Sequence, residues 1–366
     1  MKVKDVTRLI EELAPLKFQE SFDNSGLCVG NPESVVTGAL ICMDVTEEIV
    51  LEAVELKVNL IISHHPVIFS GLKSITGKSA VERIVLKCIK NDIALYSAHT
   101  NLDSVLGGVN DKLANVLGLV NTSILTPIKG QLVKVATFVP NNYADKVRNA
   151  LFDGGAGAIG NYSCCSFNVS GEGTFRATSK ANPFVGKVGE LHIESEVRIE
   201  TICSRIDLSK VIQNLIAAHP YEEPAYDIIP LDNELKSVGL GIIGELENPM
   251  DTSDFLRMVK SRLGCDVLRY SKPLAKPIRR VAVLGGSGAS FISHAIAQNA
   301  DAFVTADIKY HNFIDAEDRI LLLDAGHFET ERFTVDIFYD FITKKMVNFA
   351  VYKTKHISNP VNYLFH

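Results

Sequence analysis

Leu60-Ile61-Ile62-Ser63-His64-His65-Pro66 runs an apolar segment into two adjacent histidines and a proline. A short apolar run bounded by polar residues reads as a buried strand. Neighbouring side chains on a strand point to opposite faces, so two histidines inside it would leave one ring on the wrong side. The pair makes sense if the strand ends at Ser63 and both rings then turn toward one point. A metal centre is the commonest reason for such convergence, because neutral imidazole ligates zinc, iron, manganese and nickel.

Working outward, residues 1–125 alternate apolar runs with helix-like stretches. Runs at 39–43, 58–62 and 93–98 read as strands. Segments 6–13, 46–56 and 80–89 read as helices. Strands alternating with helices imply a mostly parallel sheet covered on both faces. The pattern changes after residue 126. Strand-like 132–139, helical 143–152, strand-like 164–169 and 197–203, helical 209–218 and strand-like 225–230 follow the order βαββαβ. That order defines a ferredoxin-like α+β unit. From about Gly239 the strand–helix alternation returns, with strands at 280–284, 302–305 and 320–323 and helices at 251–263, 291–298 and 331–345. The expected fold class is therefore a split α/β domain, residues 1–126 and 233–366, with a smaller α+β domain of residues 127–232 inserted into it. Such insertion is tolerated when the ends of the inserted unit lie close together.

The length of 366 residues exceeds what one core usually serves. Apolar residues make up 46% and charged residues 22%, as in ordinary globular proteins. A net charge of −6 argues against broad nucleic-acid binding, which needs a basic surface. The opening MKVKDVTRLIEEL has apolar residues at helical spacing with charges between them, unlike a signal peptide. No run approaches the roughly 20 apolar residues of a membrane-spanning helix. A soluble cytoplasmic protein is expected. The seven cysteines are odd in number and contain no Cys-x-x-Cys, so neither a disulfide framework nor a cysteine-rich zinc site is indicated.

Several apolar runs end in groups that bind metals or protons. The run at 93–98 leads to His99 and Asp103. The run at 302–305 leads to Asp307 and His311. The run at 320–323 leads to Asp324, His327 and Glu331. In parallel α/β sheets, sites form beyond the carboxyl ends of strands. Gly326-His327-Phe328-Glu329-Thr330-Glu331 spaces a histidine and a glutamate four apart, which one helical face can present together. A carboxylate can bridge two metal ions and an imidazole cannot. His64, His65, Asp103, His327 and Glu331 give three nitrogen and two carboxylate ligands, enough for two divalent ions with open positions.

Each of these features also has an ordinary reading. A lone histidine at a strand end is most often a hydrogen-bonded structural residue. An acid near a helix start is favoured by the helix dipole. His99 reads equally as an outer partner of the ligands, a substrate contact or a core residue. Asp307 and His311 read as structural or as outer partners. His294 reads as a surface residue and His219, in His-Pro-Tyr-Glu-Glu, as part of a turn. Gly285-Gly286-Ser287-Gly288 between a strand and a helix is either a phosphate loop or a tight turn, and it matches no dinucleotide or P-loop motif.

These residues carry a resemblance. Ser21-Phe22-Asp23-Asn24-Ser25-Gly26-Leu27, Asp44-Val45-Thr46, Ser63-His64-His65-Pro66, His99-Thr100-Asn101-Leu102-Asp103, the Gly285–Gly288 loop, Thr305-Ala306-Asp307-Ile308-Lys309-Tyr310-His311 and Gly326-His327…Thr330-Glu331 occur in that order. The chain resembles the Nif-three-like dinuclear-metal family, also called GTP cyclohydrolase I type 2 homologs, over residues 1–125 and about 235–366. Phe22 stands where many members have Trp. The resemblance implies that His64, His65, Asp103, His327 and Glu331 ligate a metal pair. It implies a toroidal homohexamer with metal sites facing an inner cavity. The inserted segment resembles the CutA/PII-like domain of long family members. Hydrolysis of a purine nucleotide such as GTP is one activity that the family name implies, and His99 is a candidate proton shuttle for it. A non-catalytic metal-binding regulator or scaffold is the other.

Overall fold

The computed structural model describes residues 1–316, 318–356 and 359–364. The chain forms two compact units, Met1–Pro127 with Lys236–His366, and Ile128–Leu235.

The first unit contains two sheets, of which the first is the mostly parallel sheet expected of residues 1–125. The first runs in the order Gly26–Val29, Ala94–Ser97, Leu60–Ser63, Ala39–Cys42, Val351–Lys353. Its last four strands are parallel, and Gly26–Val29 adds antiparallel to Ala94–Ser97. Every residue of Ala39–Cys42, Leu60–Ser63 and Ala94–Ser97 is buried. That is what strands covered on both faces require, and it is why they read as unbroken apolar runs. Helix Glu47–Glu55 begins at Thr46, whose hydroxyl accepts from the Ile49 amide. Helix Ala80–Lys90 begins at Ser79, whose hydroxyl accepts from the Glu82 amide. Each cap satisfies an amide that the helix leaves unpaired.

The second sheet runs in the order Arg269–Tyr270, Leu321–Asp324, Ala302–Ala306, Ile278–Ser287, Leu235–Met250, Leu119–Ile128. Its three central strands are parallel, and the strand on either side of them is antiparallel. The strands 119–128 and 235–250 were not evident in the sequence. The second holds Gly239, Gly241, Gly244 and Pro249, residues that usually mark irregular chain. Gly239 has φ of 153°, and a Cβ there would lie 2.1 Å from the Thr126 carbonyl oxygen. The chain thus leaves and re-enters the first unit on adjacent strands. Helix Thr252–Leu263 buries Phe255, Val259 and Leu263, spaced four apart, and ends at Gly264 in the left-handed conformation.

The inserted unit has the order Ser166–Arg176, Leu191–Ser204, Leu132–Pro140, Tyr226–Leu231 in one antiparallel sheet. Helices Ala144–Asp153 and Leu208–Ala218 complete the βαββαβ order expected of a ferredoxin-like unit. Val147, Leu151, Val211 and Leu215 pack with Val133, Val135 and Ile199 of the sheet. No helix among the described residues is long and apolar enough to cross a membrane.

Candidate metal centre

Strand Leu60–Ser63 does end at Ser63. The amides of His64 and His65 both donate to the Met43 carbonyl at 3.1 Å, so the chain has turned out of the sheet. Both rings then face one region, with centroids 4.8 Å apart. Asp103 lies in the short helix Thr100–Asp103 that follows Ala94–Ser97. His327 opens helix His327–Glu331 after strand Leu321–Asp324, from Gly326 with φ of 92°. The helix expected over residues 331–345 is therefore two pieces, His327–Glu331 and Thr334–Lys345. The first turn places His327 and Glu331 on one face, His327 Nε2 being 3.0 Å from Glu331 Oε2.

The five residues singled out in the sequence come together. Glu331 Oε2 is also 3.1 Å from His65 Nε2 and 3.7 Å from His64 Nε2. His64 Nε2 is 3.8 Å from Asp103 Oδ1. Three overlapping groups have ligand atoms within 4.8 Å of one another: His64, His65 and His99; His65, His327 and Glu331; His64, Asp103 and Glu331. These are histidine and carboxylate groups that can bind a metal ion.

A second ring of residues holds the imidazoles. His65 Nδ1–H donates to Asp44 Oδ1 at 2.7 Å, His327 Nδ1–H to Asp307 Oδ2 at 2.7 Å, and His99 Nδ1–H to Asp23 Oδ1 at 2.8 Å. His64 Nδ1–H donates to the Ala98 carbonyl at 3.0 Å. Each bond fixes a ring and turns Nε2 inward, as the outer partners of metal-bound histidines do. Asp23 and Asp44 were not among the candidate residues. The available signal was weak: Asp44 lies just past an apolar run, and Asp23 only in the Ser-Phe-Asp-Asn-Ser stretch. Asp307, read as structural or as an outer partner, holds the His327 ring. Its own backbone is left-handed, with φ of 56°. His99 joins the cluster. His311 and His294 are exposed elsewhere.

The donor set fits a cation. Among the described residues, His64 Nε2, Asp103 Oδ1 and Glu331 Oε2 are buried without a hydrogen-bond partner. The 3.0 and 3.1 Å approaches to Glu331 are thus close contacts without hydrogen-bond alignment. Because His64 Nδ1 donates to a carbonyl, the neutral ring presents a lone pair at Nε2. A lone pair facing two carboxylates is unfavourable without a cation between them, and each buried orphan costs about 1–3 kcal/mol. Burial and the neighbouring Glu331 raise the Asp103 carboxyl well above its ordinary range. Burial opposes charge on His65, but Asp44 and Glu331 raise it to about 10. Burial likewise opposes charge on His327, and Glu331 and Asp307 raise it to about 9. In the metal-free site these protons stand where metal charge would stand.

The glycine loop seats Glu331. The Gly285 amide donates to Asn110 Oδ1 and the Gly286 amide to Thr330 Oγ1. A Cβ on Gly286 would lie 2.1 Å from Glu331 Oε1. With those amides committed to protein acceptors, the loop reads as a tight packing turn and not as a phosphate cradle. Beside the histidines lies a cavity of about 520 Å³, whose wall includes His65, His327, Arg269, Phe328, Val361 and Tyr363.

Fold and site together define an α/β protein with a candidate histidine–carboxylate metal centre. The sequence model of the family Duf34/NIF3 (NGG1p interacting factor 3) matches residues 1–360. A Halalkalibacterium halodurans protein named GTP cyclohydrolase 1 type 2 homolog is 43% identical over 324 residues, 88% of this chain and 87% of the relative. A Bacillus subtilis protein of the same name is 40% identical, over 89% of this chain and 88% of the relative. The crystal structure of a Bacillus cereus protein related to NIF3 superposes with a TM-score of 0.86 at 40% identity, covering 100% of this chain and 99% of that one. The chain belongs to the Duf34/NIF3 family.

Proposed function

We propose that this protein is a metal-dependent hydrolase acting on a purine nucleotide, with two divalent ions held by His64, His65, Asp103, His327 and Glu331. The observation that carries the reading is the convergence of those side chains around three buried, partnerless polar atoms. Zinc, iron, manganese and nickel all suit the set. Bound there, such ions supply Lewis acidity and lower the pKa of water. The chain's residues do the rest. Glu331, approached by His64, His65 and His327, is the carboxylate best placed to bridge. His99 is oriented by Asp23 and takes the role of moving a proton at Nε2. The adjacent cavity offers room for a substrate. The name carried by the relatives, GTP cyclohydrolase 1 type 2 homolog, supports GTP as the substrate. In that version attack falls at C8 of the purine.

The test is elemental analysis of the native protein, then incubation of metal-loaded protein with GTP. Release of formate is expected. No formate and no triphosphate-bearing product, where a control cyclohydrolase gives both, would end the GTP assignment. A toroidal homohexamer and a CutA/PII-like character of residues 127–232 belong to the same proposal, as does a cytoplasmic location. Light scattering of the native protein tests the assembly.

One observation favours the alternative, a non-catalytic metal-binding regulator or scaffold. Apart from His65 and His327 of the site itself, Asp44, Asp307, Asp324 and Glu329 line the cavity against one arginine, Arg269, which is already bound to Asp324. A triphosphate gains little from such a wall. Metal content without turnover of any nucleotide would select this reading.

A further inference from the structure

His219-Pro220-Tyr221-Glu222-Glu223 has no part in the metal centre. In the inserted unit, Tyr221, Glu222 and Glu223 line a cavity of about 550 Å³. Its wall is aromatic, with Phe138, Phe175, Phe184 and Tyr221. The Tyr221 ring centroid lies 6.2 Å from that of Phe175 and 6.3 Å from that of Phe184, at 58° and 49°. The Tyr221 hydroxyl donates to Glu196 Oε1 at 2.7 Å.

Glu196 is only 9% exposed. A carboxylate that deep is costly unless its charge is answered. Arg198, two residues further along the strand, pairs with Glu200 instead. The second oxygen of Glu196 reaches the cavity wall at Gly173, where a Cβ would lie 2.2 Å from it. Glycine at that position leaves the space the carboxylate needs.

The arrangement is braced. His219 Nε2–H donates to the Phe138 carbonyl at 2.9 Å, and its Nδ1 accepts from the Tyr221 amide at 3.1 Å. The Asn182 amide donates to Glu222 Oε1 at 3.0 Å, tying the loop that carries Phe184 to the Tyr221 turn. Charged groups on the wall are Glu172, Glu196, Glu222 and Glu223 against Arg176. Ring faces attract cations through their quadrupoles, and a buried carboxylate adds to that attraction.

We propose that this cavity binds a small organic cation, an alkylammonium of about the size of choline. The rings of Phe175, Phe184 and Tyr221 receive its methyl groups and Glu196 answers its charge. The inference does not depend on the metal centre.

Titration calorimetry on the full chain as purified tests it, using choline and 3,3-dimethylbutan-1-ol, in which carbon replaces the nitrogen. Saturable choline binding is expected, with the neutral alcohol weaker by about tenfold or more. Glu196→Gln should weaken choline by about tenfold. Phe184→Ala, at a half-exposed loop position, should weaken it by about threefold or more with an unchanged melting temperature. Equal affinity for choline and the alcohol overturns the proposal. So does no saturable heat for either.

Discussion

The candidate metal centre and the inserted cavity use the same residue types but hold them in opposite ways. At the centre, His64, His65, His99 and His327 are each fastened at Nδ1 to an acceptor behind them, which leaves Nε2 facing inward. At the cavity, His219 uses both nitrogens on the backbone and offers neither to the space. A histidine with one nitrogen left over is a ligand in waiting. One with none left over is a brace. The inward-facing chemistry of the cavity falls instead to rings and to Glu196.

The largest effect that tests this contrast is loss of metal. His64→Ala and Glu331→Ala should each remove most of the bound metal, read by elemental analysis per chain. Glu331→Gln keeps the side-chain volume and should do the same, which separates ligand loss from collapse of the site. Native metal content in all three variants would break the contrast at its root. Gly286→Ala belongs beside them. Its Cβ has no room beside Glu331 Oε1, and its φ of 65° strains any L side chain.

The outer acceptors come next. Asp307→Asn and Asp44→Asn leave all five inward groups in place but weaken the hold on His327 and His65. Each should lower metal affinity by roughly 10–100-fold in a chelator competition. His219→Gln, which disturbs a brace, should lower the melting temperature and leave metal affinity alone. The reverse pattern would mean that hydrogen-bond count does not separate ligands from braces.

A pH experiment sharpens the same point. In the metal-free protein His65 and His327 are raised to about 10 and about 9, above the unfolded value near 6.5. A raised group stabilises the fold fully below its unfolded pKa, and that stabilisation is lost as pH rises through the folded pKa. Metal-free protein should therefore lose thermal stability between about pH 6.5 and 10. Metal replaces those protons, so loading at pH 7 should release them, read as a buffer-dependent heat of binding. Metal-loaded protein should hold its stability across that interval.

Much of the candidate site's geometry was legible in the chain. His64-His65 at the end of an apolar run, and His327 with Glu331 at helical spacing, announce convergence because strand ends and helix turns have fixed geometry. Asp23 and Asp44 were not legible as partners, since pairing each with one histidine requires knowing which strands are neighbours. The strand 235–250 was hidden by its glycines, of which Gly239 is required by the close approach to Thr126. The cavity of the inserted unit was less legible still. His219-Pro220-Tyr221 reads as a turn, and it is one. Glu196 and Gly173 sit on paired strands, far from it in sequence.

The smallest expected effect is none. Residues 128–235 leave and rejoin the first unit on adjacent strands, with Gly239 against Thr126 and Pro127. No residue is shared between the five metal-site groups and the cavity wall. Replacing 128–235 by a short Gly/Ser linker should therefore leave metal per chain unchanged, because a flexible closure between neighbouring strand ends costs little. The converse substitution, Phe184→Ala, should likewise leave metal content at the native value. A fall in metal content with either change, at an unchanged melting temperature, would show that the inserted unit sets the occupancy of a centre to which it contributes no ligand.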